Sequence, residues 1–326
     1  MDPAGRLKLE KQLRDARSAE IERRQIVHKL EVQRNRRGAA RRTVRGAAPR
    51  AMPLDFLAVG DSWFEYPLDD DGHIANNQAI IGEMGTQLQS MGNPPPNILS
   101  HALHGQSTTA MLTWERQHEI LDDLMNHPDR WNNGVTADGI LVSAGGDDVV
   151  GDSFAIYLDY KSGGLDAVRF QGILDSVQAS YLDLFSLRDI AAAELKIDPK
   201  QMPIFGHCYD YAIPNGVPAG SWPIQSGPWL QPSLNFAGYD YNEGLNIVKM
   251  TINTFKQKLL DLANDTIVPP GKTTNNFILI DTTNTLTRDN TRPNGWANEL
   301  HPYTEGFTLL AAKFRDALQT HYPGRI

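Results

Sequence analysis

Cysteine is almost absent from this chain. Its 326 residues hold one, Cys208, so no internal disulfide can form and a reducing compartment is expected. Cys208 sits in an apolar run, where a buried and inert thiol is the expectation. Long hydrophobic runs are missing as well: nothing approaches the roughly 18 consecutive apolar residues of a membrane-spanning helix. The opening residues, Met1-Asp2-Pro3-Ala4-Gly5-Arg6-Leu7-Lys8, carry no apolar h-region. No Sec-type signal is expected, and the cytoplasm is the default compartment, with signal-less secretion left open.

Several catalytic signatures are also lacking. Without Gly-x-Ser-x-Gly there is no nucleophile elbow of the α/β-hydrolase kind, and no dinucleotide fingerprint occurs. Gly271-Lys272-Thr273-Thr274 looks like the end of a phosphate loop, but the glycine needed five residues earlier is Thr266 and a strand pattern follows. Asp69-Asp70-Asp71-Gly72-His73 lacks the alternation of an EF-hand loop and reads as a solvated turn. His101 and His104 are three apart on a strand pattern and so face opposite sides, which disfavours joint ligation. Neither metal nor cofactor is expected.

Charge is unevenly distributed. Residues 1–50 carry a net charge of +9 and the remainder −17. Leu9, Leu13, Ile21, Val27 and Leu30 form an imperfect helical stripe in the basic arm, and from Arg34 to Arg50 the text of Arg, Ala and Gly reads as a linker. Three roles compete for the arm: docking on its own body or on a sister chain, contact with an anionic membrane or nucleic acid, and targeting.

The body, residues 51–326, alternates strand and helix patterns. Leu54-Asp55-Phe56-Leu57-Ala58-Val59-Gly60-Asp61-Ser62-Trp63 is an apolar run ending in Gly-Asp-Ser. Further runs end at His104-Gly105, at Gly145-Gly146-Asp147-Asp148, at Tyr209-Asp210 and at Asp281. Helices are expected over 76–91, 105–126, 166–196 and 234–263, with Ile80, Ile81, Met84 and Leu88 on one face of the first. Residues 152–164 read as an excursion over the site. The segment 211–232, with five prolines and the aromatic Trp222 and Trp229, reads as a lid or pocket wall. Five strands with helical crossovers imply a parallel sheet covered on both faces, with ligands at its carboxyl edge.

The ordered series Gly60-Asp61-Ser62, Gly105, Gly145-Gly146-Asp147-Asp148 and Asn298-Glu299-Leu300-His301 resembles the SGNH (GDSL-type) serine hydrolase superfamily over residues 54–320. The resemblance implies a flavodoxin-like three-layer αβα fold with strand order 2-1-3-4-5. It also implies Ser62 as nucleophile, His301 as general base, and an oxyanion hole from the Ser62 and Gly105 N–H groups plus the side chain at position 147. Two positions depart from the family pattern: Asp147 stands where an asparagine is usual, and Asn298 where the triad aspartate is usual, with Glu299 as a candidate substitute acid. An ionised Asp147 would repel an oxyanion and a protonated one would not. The expected activity is a metal-independent serine esterase acting through an acyl-enzyme on a small-molecule or lipid-like ester, with Trp63, Trp222 and Trp229 as pocket residues suited to an apolar or aromatic acyl group or to a stacked sugar. The alternatives are a catalytically impaired binding relative, or an acyltransferase or carbohydrate deacetylase on the same site.

Overall fold

The computed structural model describes residues 3–44, 51–74, 79–90, 94–161, 163–220 and 225–326. In chain order these form α1 (Pro3–Val44), β1 (Asp55–Gly60), α2 (Ile80–Ser90), β2 (Asn97–Ser100), α3 (Thr108–Met111), α4 (Trp114–Asn126), β3 (Gly139–Ser143), α5 (Gly146–Val150), α6 (Ala167–Leu195), β4 (Ile204–His207), α7 (Leu230–Ala237), α8 (Tyr241–Ala263), β5 (Phe277–Ile280) and α9 (Thr304–His321). The five strands make one all-parallel sheet in the order β2-β1-β3-β4-β5, as the motif series implies. β1 lies between β2 and β3, and all six of its residues are buried, which is why it reads as an unbroken apolar run with no alternation. On one face Phe56 and Phe205 meet Tyr322, and His207 meets Phe314 of α9. On the other, Phe277 of β5 packs edge-on against Tyr181 of α6.

Ile80, Met84 and Leu88 of α2 are buried and Ile81 is packed beside them, as the 3.6-residue period requires. Helix α6 runs unbroken between an Asp166 cap and a left-handed Lys196. Two expected helices are instead pairs. The 105–126 pattern breaks at Leu112-Thr113, between α3 and α4. The 234–263 pattern breaks at Gly238 (φ +88°), after which Asp240 and Glu243 close a capping box that starts α8. Apolar periodicity runs through both breaks, so only the capping residues mark them.

The arm differs most from expectation. Residues 34–44 are helical rather than a linker, because Arg and Ala are strong helix formers even where little apolar surface is available. Residues 45–50 lie outside the described residues. Helix α1 docks on its own body beside β2. Its buried residues are Ile21, His28 and Val32, whereas Val27 and Leu30 of the expected stripe are exposed; the side chains of Leu9 and Leu13 lie outside those described. Polar contacts complete the interface: Gln25 donates to Asp123 (2.9 Å), Lys29 pairs with Asp129 (2.5 Å) and Arg36 donates to the carbonyl of Pro128 (3.2 Å). No helix among the described residues is long and apolar enough to cross a membrane.

Candidate active site

Ser62 follows β1 at the carboxyl edge of the sheet, in a tight turn where the Phe64 and Glu65 amides donate to the Asp61 carbonyl (both 3.1 Å). Gly60 makes that turn possible: a Cβ there would lie 2.5 Å from the Ser143 carbonyl of the neighbouring strand. The Asp61 side chain points inward. It accepts from Ser143 Oγ (2.7 Å), from the Trp63 amide (3.0 Å) and from the Tyr209 hydroxyl, so it fixes the turn and leaves Ser62 to face the cleft. Burial raises the Asp61 carboxyl to about 6 against these hydrogen bonds.

His301 arrives from the loop before α9. Its Nε2 is 2.7 Å from Ser62 Oγ, and its Nδ1 is 3.0 Å from Asn298 Oδ1. The Leu300 and His301 amides also donate to Asn298 Oδ1 (3.1 and 3.0 Å), which identifies that atom as the oxygen. An acceptor there demands a proton on Nδ1, so Nε2 carries the lone pair and faces the Ser62 hydroxyl. Burial, with the His104 charge adding to it, pulls His301 down to about 3. The loop is tied to the Ser62 turn by Trp63, whose indole N–H donates to the Leu300 carbonyl (3.0 Å).

Glu299 is not a substitute triad acid. Its two oxygens are occupied by the backbone N–H groups of Gly216 (3.1 Å), Trp229, Leu230 (2.6 Å) and Gln231 (2.8 Å), at the start of α7. It is a buried carboxylate at a helix N-terminus and cannot also reach the imidazole.

The Gly145-Gly146 pair lets α5 begin against packed rings. A Cβ on Gly145 (φ +105°) would meet Phe255 at 2.5 Å, and one on Gly146 would meet Tyr209 at 2.7 Å. The two aspartates that follow divide the work. Asp148 accepts from the Thr108 amide (2.8 Å) and hydroxyl (3.1 Å), holding α3 to α5. Asp147 lines the same cleft as Ser62, and its Oδ2 is buried with no hydrogen-bond partner. Burial, reinforced by the charges of Asp61, Asp148 and Asp152, holds its carboxyl well above the ordinary range.

Gly105 (φ +69°) lies in an exposed turn between β2 and α3 and does not line the cleft. That turn is pinned to the Ser62 turn through Glu65, whose Oε2 is 2.9 Å from His104 Nδ1. Arg24 of α1 pairs with the other Glu65 oxygen (3.2 Å) and donates to the Ala102 carbonyl (2.7 Å), so the arm buttresses both turns. His101 has a separate partner in Asp123 (2.7 Å). Among the described residues, no group of three or more His, Cys, Asp or Glu is placed to hold a metal ion.

Of the expected pocket tryptophans, Trp63 is buried and lines the cleft, Trp229 stands edge-on to His301 (6.2 Å, 69°), and Trp222 lies outside the described residues. None of the described residues of the 152–164 segment lines the cleft. Its Phe154–Tyr157 stretch forms a short helical turn with Phe154 and Tyr157 buried, and the Tyr157 hydroxyl donates to the Asp148 carbonyl (3.3 Å). Sequence reading missed Tyr66 and Tyr209, both of which touch the site residues directly. Neither belongs to a spaced motif.

No family model matches the chain, and no curated protein matches it. Solved structures do. The chain is similar to a lipase from a goat rumen metagenome at 13% identity and a TM-score of 0.49, covering 81% of this chain and 97% of that one. It is similar to an extracellular lipase from Streptomyces rimosus at 13% identity and 0.45, covering 81% and 99%. A carbohydrate acetylesterase from Sinorhizobium meliloti matches at 12% identity and 0.45, covering 82% and 100%. Lipases, esterases and acylhydrolases are thus among the structures the chain is similar to. At such distance these likenesses say nothing of substrate; the fold rests on the strand order itself.

Proposed function

We propose that this chain is a serine hydrolase of carboxylic esters. The observation that carries the reading is the unbroken chain Ser62 Oγ–His301 Nε2 and His301 Nδ1–Asn298 Oδ1, at 2.7 and 3.0 Å. In the first half-reaction His301 removes the Ser62 proton as the oxygen attacks the ester carbonyl, then returns it to the departing alcohol. In the second, water attacks the acyl-enzyme and the same two groups reverse their roles. The Ser62 amide and a protonated Asp147 are the donors proposed for the oxyanion.

A short acyl group suits the site better than the apolar or aromatic one expected from the tryptophans. The cleft lined by Ser62, Asp147, Trp63 and Trp296 is narrow: of about 320 Å³ of empty space, open solvent included, only about 20 Å³ admits the centre of a water-sized sphere. That small space brings deacetylase chemistry closer than lipase chemistry. Across p-nitrophenyl esters, acetate is expected to give the highest kcat/KM, with a fall of roughly 10-fold or more by the octanoate as uncompensated crowding replaces contact. An unchanged or rising series would reject the small-acyl assignment.

A further inference from the structure

The site lacks the carboxylate that ordinarily supports a catalytic histidine, yet nothing else about the Ser62–His301 pair is relaxed. Asn298 is neutral and can orient an imidazole without balancing its charge. The residue that lies against both partners is Tyr66. Its ring is stacked on His301 with centroids 4.1 Å apart and planes 19° from parallel, and its hydroxyl accepts from Asn298 Nδ2 at 3.0 Å. Tyr66 is itself buried, held by Phe307 of α9 against its ring.

We propose, building on the serine-hydrolase reading, that Tyr66 is the positioning residue standing in for the missing triad carboxylate. Its hydroxyl satisfies the Asn298 amide so that Oδ1 stays on His301 Nδ1. Its ring face receives the positive charge that His301 acquires while it holds the Ser62 proton. An aromatic face within about 6 Å of a cation attracts it through the ring quadrupole, more strongly where water is excluded. The contact is therefore worth more to the imidazolium of the transition state than to the neutral imidazole of the resting enzyme, which is what raises kcat and leaves substrate binding alone. Around His301 the facing groups are the Ser62 hydroxyl, the Asn298 amide, the Tyr66 ring, the Trp229 edge and His104, whose charge opposes protonation. No carboxylate hydrogen-bonds to the ring among the described residues. Burial and the nearby Asp70 and Asp69 push the Tyr66 hydroxyl up to about 12, so it remains neutral throughout the working range.

The test separates the two halves of the role in the full-length protein. Tyr66→Phe keeps the ring and removes the acceptor; kcat is expected to fall roughly 5-fold. Tyr66→Leu removes both, and kcat is expected to fall about 10- to 30-fold with KM within 2-fold of wild type. Adding Asn298→Asp to Tyr66→Leu should recover most of that loss, because a carboxylate orients and neutralises at once. Imidazole ¹⁵N shifts at neutral pH should report a single Nδ1–H tautomer in the wild type and a tautomer mixture in both Tyr66 variants. Unchanged kcat and tautomer in Tyr66→Leu would overturn the proposal. A loss that Asn298→Asp fails to rescue, with the tautomer unchanged, would reduce Tyr66 to a packing residue and overturn it equally. If the wild type hydrolyses no ester, the serine-hydrolase reading fails, while the tautomer comparison still decides whether Tyr66 sets the imidazole.

Discussion

Asp147→Asn is expected to accelerate ester hydrolysis on the alkaline side, where Asp147 has ionised. The carboxyl faces the Ser62 cleft, and desolvation with three neighbouring aspartates raises its proton affinity well above that of a free side chain. Below its ionisation it is a neutral acid with an O–H to donate; above it, it presents only lone pairs and a negative charge to a developing oxyanion. Activity that depends on this group therefore falls as pH rises through its folded-state ionisation. An amide donates at every pH. Asparagine should match the wild type within a few-fold in acid and exceed it by up to roughly 10²–10³ in kcat where Asp147 is ionised, the usual effect of one oxyanion donor. The same change should raise stability on the alkaline side. A carboxyl whose folded-state proton affinity is raised makes the protein progressively less stable from the unfolded ionisation, near pH 4, up to its folded-state ionisation, above which the loss stays constant. Measuring kcat/KM for both proteins from about pH 5 to 9 checks the point. Loss of turnover in Asp147→Asn would instead make Asp147 a proton-transferring acid or base.

His301→Ala is expected to lower kcat by about 10⁴–10⁶, with KM little changed, since the serine oxygen is a poor nucleophile without a base in contact. The wild-type profile follows from the same group. His301 is held near 3, so the base is already neutral across the usual assay range. Turnover should rise with pH only through that low value, stay flat, and then fall with the ionisation of Asp147. A rise centred near 6.5 would mean that substrate or solvent relieves the burial of the imidazole.

The sheet was legible chiefly because its three inner strands are buried on both faces. Apolar runs such as 54–60 and 139–143 have no other use for so many β-formers, and each ends in the small residues that turn the chain at the carboxyl edge. Ser62 stands at such an end, whereas His301 lies in the loop before α9 and was marked by its place after the last strand, ahead of a helical pattern. The positions that pair with them were not. Glu299 and Asn298 are adjacent in sequence, and only the fold shows that four backbone amides claim the first while the second turns to His301. Tyr66 carries no spacing signal, because its contact with Asn298 spans 232 residues. The course of residues 34–44 was misread because a helix needs no apolar face when its cations find carbonyls on a neighbouring surface, as Arg36 does at Pro128.

The account rests on Ser62 being an activated nucleophile. Reaction of the full-length protein with a fluorophosphonate, followed by peptide mass spectrometry, tests it directly. The phosphonyl group should be found on Ser62, label formation should fall by orders of magnitude in His301→Ala, and Ser62→Ala should remain folded and unlabelled. Label on another residue, or undiminished labelling in Ser62→Ala, would contradict it.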